Sequence, residues 1–107
     1  MLSHKFSIYV PSTMGTDKAT DNKKQVNKTL SFLSSLFGGA TNTDAFGAWV
    51  SATAGLVTEK VSICYAYCSL IDKYKHIKKV KEFARNLKNE MGQEAVSLEI
   101  DGKLLFV

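Results

Sequence analysis

Residues 56–67 read LVTEKVSICYAY, and this stretch has the clearest strand pattern in the chain. Its side chains alternate in character, because one parity is mostly apolar or aromatic and the other is small or polar. A period of two is typical of a β-strand that packs one face against a core. We expect the first parity to face the helices of the domain; it comprises Val57, Val61, Ile63, Tyr65 and Tyr67.

The second parity of this strand carries Lys60, Ser62, Cys64 and Ala66. We expect these small and semi-polar side chains to form the open face of the sheet. They would suit close packing against the sheet of a second copy, so we predict a homodimer. In the alternative arrangement the aromatic parity faces outward, and the exposed apolar sheet face would itself be a partner interface.

Helical and extended patterns on either side of residues 56–67 complete the order of elements. Val26, Leu30 and Leu33 recur at helical spacing, and Asp101-Gly102 favours a two-residue hairpin turn. The predicted elements are strand 5–10, helix 23–37, a short or bulged strand around Trp49, strand 56–67, a helix from Ser69 or Asp72 to Gly92, and strands 95–100 and 103–107. This order predicts an α+β, ferredoxin-like fold with an antiparallel sheet, two helices on one face and a C-terminal hairpin.

The composition is that of one globular domain. The chain has 107 residues, of which 45% are hydrophobic and 22% charged, so we expect a single domain over residues 1–107. No apolar stretch is long enough to cross a membrane and no signal-peptide pattern is present, which predicts a cytoplasmic protein without a membrane partner. Cys64 and Cys68 have no metal-site spacing with His4 or His76, so we predict no metal and no cofactor.

Positive charge is concentrated in the second predicted helix. The formal net charge is +4, and residues 73–91 alone carry seven positive and two negative charges. Such a stripe can neutralise phosphates, although lysine-rich helix faces also serve simply to keep proteins soluble. The residues that we expect to bind a nucleic acid or another acidic partner are Lys75, Lys78, Lys79, Arg85 and Lys88.

A second candidate site lies between the Gly38–Trp49 segment and the sheet. Phe46 and Trp49 follow a glycine turn after the first helix and could line a groove at the sheet edge. Glu59 and Glu99 lie on predicted strands and could supply carboxylates for acid–base chemistry in that groove. These four residues form the predicted pocket, but the sequence contains no catalytic motif, and we assign no catalytic residue.

Three blocks of the sequence are similar to those of a known group of proteins. They are SIYVPS at residues 7–12, LFGGAT at 36–41 with GAWVS at 47–51, and QEAVSLEI at 93–100. In these blocks the chain resembles small uncharacterised proteins carried by Firmicutes genomes, phages and plasmids. The resemblance implies one ferredoxin-like domain in a mobile-element setting and transfers no catalytic residue.

Two functions follow as expectations. The first is a non-enzymatic interaction protein of a mobile element, whose basic helix engages a nucleic acid, a nucleoprotein or an acidic protein, for example to inhibit a host defence nuclease. The alternative is a small-molecule-binding or catalytic domain whose site lies between the Gly38–Trp49 segment and the sheet.

Overall fold

The structure is a computed structural model that describes residues 1–15 and 18–107. Its two helices are α1 (Lys23–Phe37) and α2 (Leu70–Glu90). The strands are β1 (His4–Pro11), β2 (Thr13–Met14), β3 (Lys18–Ala19), β4 (Thr41–Ser51), β5 (Gly55–Cys68), β6 (Ser97–Ile100) and β7 (Lys103–Phe106). The predicted limits of α1 are confirmed to the residue, and its C-terminal end at Gly38 has the left-handed backbone that glycine adopts without strain (φ +88°).

The five long strands form one antiparallel sheet in the order β4-β5-β1-β6-β7, while β2 and β3 pair in a separate two-stranded ribbon. The helices α1 and α2 cover one face of the sheet, and the hairpin of β6 and β7 turns at Asp101 and Gly102, both at positive φ. This arrangement confirms the predicted α+β, ferredoxin-like fold with two helices on one face and a C-terminal hairpin.

The core lies between the sheet and the two helices. Strand β1 contributes Phe6 and Ile8, both fully buried, and Phe6 stacks on Phe37 of α1 with 5.3 Å between ring centroids. Leu33 of α1 and Val80 of α2 fill the space above the sheet. The large core side chains therefore come mainly from β1 and the helices.

The prediction of which face of β5 meets the helices is wrong. Phe6 and Ile8 are the cross-strand partners of Ala66 and Cys64, and paired residues share a face of an antiparallel sheet. Because Phe6 and Ile8 pack into the core, the small parity of β5 is the buried one. The aromatic parity, with Tyr65 and Tyr67, faces away from the helices. The homodimer stays a prediction.

Strand β4 is longer than predicted. It pairs with β5 over eleven positions without a bulge, from Thr41 to Ser51. Strand β1 ends its pairing with β5 at Val61, so the hairpin of residues 45–60 extends past the rest of the sheet. We call residues 45–60 the arm. Phe46 and Val50 on the arm are 79% and 81% exposed.

Neither helix in the described part of the chain is long and apolar enough to span a membrane.

Candidate functional site

A cavity of about 340 Å³ lies where the arm leaves the sheet, on the face opposite the helices. Four parts of the chain surround it: the arm, the end of β1, the middle of β5 and the segment between α2 and β6. The site therefore exists because β4 and β5 continue beyond the end of β1.

Aromatic and small side chains of the arm form one wall of this cavity. Trp49, half-exposed, and Phe46 line it together with Gly47, whose cross-strand partner is Glu59. Glycine leaves the space in front of Glu59 open, because a Cβ at this position would come within 4 Å of only one atom, the Glu59 carbonyl oxygen. Among the described residues, Glu59 is the one charged side chain in the lining.

The floor and the second wall involve residues that sequence reasoning missed. Tyr9 and Pro11 reach the cavity from β1, and Gln93 and Ser97 reach it from the segment after α2. The alternation of β1 contained a signal for Tyr9, because it lies on the parity opposite Phe6 and Ile8. Gln93 gave no local signal, since its place depends on how the chain returns from α2.

The Glu59 carboxylate is half-buried and has one hydrogen-bond partner inside the protein. Thr13 of β2 donates its hydroxyl to Glu59 Oε1 over 3.2 Å. The described part of the chain gives Oε2 no such partner. An ionised carboxylate beside aromatic walls attracts cations and ammonium donors.

Three of the four predicted pocket residues come together in this cavity: Phe46, Trp49 and Glu59. Glu99 does not line it. It lies on β6 two residues beyond Ser97, opposite Ser7 and Leu104, and its side chain therefore lies about 7 Å further along the same sheet face.

The five basic residues predicted to bind an acidic partner lie on α2. Lys75, Lys78, Lys79 and Arg85 are exposed, and Lys88 is half-buried. Because α2 covers the opposite face of the sheet, this basic surface and the cavity lie on different sides of the molecule.

The two cysteines offer no reactive thiolate. Both are buried and unpaired, and burial, with a smaller contribution from Asp44, raises the pKa of the Cys64 thiol to about 11. Burial also raises the pKa of Cys68. Within residues 1–15 and 18–107, no three His, Cys, Asp or Glu side chains are grouped closely enough to hold a metal ion.

No protein-family model and no curated protein matches this sequence. Two solved structures share its fold. A phage SAM lyase in complex with S-methyl-5'-thioadenosine has a TM-score of 0.69 and 20% identity, and the match covers 97% of this chain and 88% of that chain. A phage SAM lyase in the apo state has a TM-score of 0.66 and 22% identity, covering 99% of this chain and 89% of that chain.

These similarities contradict the prediction of a non-enzymatic interaction protein that works through its basic helix. Both solved structures are those of an enzyme, and each match extends over nearly the whole chain. The position of the cavity agrees with this correction, because it lies away from α2 and contains three of the residues predicted for a small-molecule site.

Proposed function

We propose that the protein is a lyase that cleaves S-adenosylmethionine (SAM) and releases S-methyl-5'-thioadenosine, with its active site in the cavity beside Glu59. One observation carries the proposal: a lone carboxylate stands inside an aromatic-walled cavity, on a fold shared with phage SAM lyase. The substrate combines a flat adenine ring with two cationic groups, the sulfonium and the α-ammonium. Aromatic walls and a carboxylate are the features that bind such a molecule.

The cavity suits the two ends of the substrate. Its volume of about 340 Å³ falls within the range of ligand pockets, roughly 300–1,000 Å³. Trp49 offers a ring face for the adenine, and stacking of a base on an aromatic side chain contributes about 1–3 kcal/mol. Glu59 Oε2 is left to accept a hydrogen bond from the α-ammonium group.

The reaction balances without water or a cofactor. An oxygen of the substrate's own carboxylate forms a bond to Cγ of the methionine part, and the Cγ–S bond breaks. The electron pair of that bond moves to sulfur, which leaves as the neutral thioether S-methyl-5'-thioadenosine. The other product is homoserine lactone. No proton is transferred, so the protein needs no general base for this step.

The apolar lining accelerates such a step. The reacting carboxylate and sulfonium carry opposite charges that disappear as the new bond forms. Water stabilises the separated charges, and the partly buried apolar side chains of Val61 and Ile63 replace part of that water beside the substrate. Glu59 contributes by holding the ammonium group, which keeps the substrate folded with its carboxylate behind Cγ.

The setting supports the proposal. SAM is a cytoplasmic metabolite, which agrees with the expected cytoplasmic location. The solved enzymes of this fold are phage proteins. Consumption of host SAM would remove the methyl donor that host restriction systems use, and this would be the anti-defence role of the protein.

The test is direct incubation of the purified protein with SAM. We expect chromatography with mass spectrometry to detect S-methyl-5'-thioadenosine and homoserine lactone in equal amounts. Glu59→Gln keeps the shape of the side chain and removes its charge, so it should lower kcat/KM about 100-fold, the effect of about 2.7 kcal/mol from a lost charged hydrogen bond.

Glu82→Gln is the matched control, because Glu82 is an exposed carboxylate on α2, across the sheet from the cavity. This variant should retain wild-type kcat/KM. The proposal is wrong if the wild-type protein releases no S-methyl-5'-thioadenosine, or if the two variants cleave SAM equally well.

A further inference from the structure

The carboxylate of Glu59 is held by the short ribbon of β2 and β3, which lies outside the main sheet. Thr13 donates its hydroxyl to Glu59 Oε1 over 3.2 Å. The contact joins residues 46 positions apart. Among the described residues, Thr13 is the one that donates a hydrogen bond to the Glu59 side chain. The ribbon therefore holds one oxygen of the carboxylate.

Gln93 in turn fixes the orientation of Thr13. Its side-chain Nε2 lies 2.8 Å from the Thr13 carbonyl oxygen, 3.2 Å from Thr13 Oγ1 and 2.6 Å from the Gly15 carbonyl oxygen. An amide oxygen in this place would meet two carbonyl oxygens, so the nitrogen must occupy it. Gln93 can only donate here: its two N–H groups serve the Gly15 carbonyl oxygen and, in a shared hydrogen bond, the carbonyl and hydroxyl oxygens of Thr13. The hydroxyl hydrogen of Thr13 is therefore left free for Glu59.

The backbone holds the ribbon against the same segment. The Gly15 amide donates to the Met91 carbonyl over 2.8 Å. Gly92 has φ +62°, and a Cβ at this position would lie 3.4 Å from the Gly15 nitrogen. Glycine at position 92 thus allows both the turn after α2 and the close approach of this segment to the ribbon. Gln93 follows immediately and reaches Thr13 from this anchored turn.

We propose that Thr13 and Gln93 are positioning residues for Glu59: Gln93 orients the Thr13 hydroxyl, and that hydroxyl holds Oε1 so that Oε2 faces the substrate cation. This inference rests on the proposed function of the cavity and adds two residues to it. A glutamate with rotational freedom would have to be ordered each time substrate binds. The Thr13 hydrogen bond provides that order in advance.

Thr13→Val and Thr13→Ser form the decisive pair. Valine keeps the volume and loses the hydroxyl, whereas serine keeps the hydroxyl. We expect Thr13→Val to lower kcat/KM for SAM about tenfold and Thr13→Ser to stay within threefold of wild type. Gln93→Met should lower kcat/KM in the same direction, and combining it with Thr13→Val should cause little additional loss, because both act through Glu59.

A second measurement separates positioning from a merely structural role. S-methyl-5'-thioadenosine is neutral and lacks the ammonium group, so its affinity, measured by calorimetry, should be the same for wild type and Thr13→Val. Equal losses in affinity for this product and in SAM cleavage would overturn the inference, and so would a Thr13→Ser variant as impaired as Thr13→Val.

An activity-independent readout distinguishes failure of this inference from failure of the proposed function. With ¹³C-labelled glutamate carboxyl groups, the Glu59 resonance of the free protein should shift in Thr13→Val and stay in place in Thr13→Ser. If the wild-type protein does not cleave SAM, the proposed function fails, and this spectrum alone decides whether Thr13 positions Glu59. An unchanged resonance in Thr13→Val overturns the inference even if the protein is an active lyase.

Discussion

The two faces of β5 differ in a way that separates folding from function. The face toward the helices carries small side chains, Ser62, Cys64 and Ala66, all buried. The face away from the helices carries Glu59, Ile63 and larger aromatic residues, which are only partly covered. Small residues allow α1 to approach the sheet closely, while the large residues and one carboxylate remain available for a ligand.

The same division runs along β1. Phe6 and Ile8 point into the core and are fully buried, whereas Tyr9 points the other way and lines the cavity. Alternate side chains of one strand thus pack in the core or line the cavity. Substitutions on one face should change stability with little effect on catalysis, and substitutions on the other face should do the reverse.

The largest expected effect is on the covered face. Phe6→Ala removes a fully buried ring that stacks on Phe37, and should reduce the free energy of unfolding by about 3–5 kcal/mol. Tyr65→Ala on the open face should cost about 1 kcal/mol or less, since its ring is partly exposed and lies against the Tyr67 ring and the Lys5 ammonium group. Urea denaturation of both variants measures this difference. Equal losses would mean that a partner covers the open face in solution.

A smaller effect is expected from the two sides of β4 on the arm. Trp49 lines the cavity and Val50 does not, although they are neighbours and both are exposed. Trp49→Ala should raise KM for SAM about tenfold, because loss of a stacked base costs about 1–3 kcal/mol, and it should barely change the unfolding midpoint.

Val50→Ala is the control on the opposite side of the strand, and steady-state kinetics should give it the wild-type KM. If both variants raise KM equally, the arm acts through its overall shape and not through a stacking surface at Trp49.

The sequence was sufficient for most of the fold. The limits of α1 follow from helical spacing and from Gly38, and the C-terminal hairpin follows from Asp101-Gly102. The alternation of β5 could be predicted from the sequence. The parity that faces the helices could not, because a strand with apolar side chains on both parities can pack either way. The register with β1 decides that question, and it sets Ala66 beside Phe6 and Cys64 beside Ile8.

The site could be predicted only where it is local. Phe46, Trp49 and Glu59 belong to one hairpin, so a groove among them could be inferred from nearby sequence. Thr13 and Gln93 are 80 positions apart, and their contact depends on the path of the chain after α2. Glu99 was predicted for the pocket as a strand carboxylate, but the cavity ends near Ser97, one step earlier on the same face.

The smallest effect is expected on α2, whose charge was the most conspicuous feature of the sequence. Lys75, Lys78, Lys79 and Arg85 are exposed, and the sheet separates them from the cavity. At physiological salt the screening length is about 8 Å, so these charges should act little on a ligand across the sheet. Reversing all four to Glu should change kcat/KM for SAM less than threefold at 0.15 M salt. A tenfold change in the same assay would show that the basic helix contributes to catalysis, and that the two sides of the molecule are not independent.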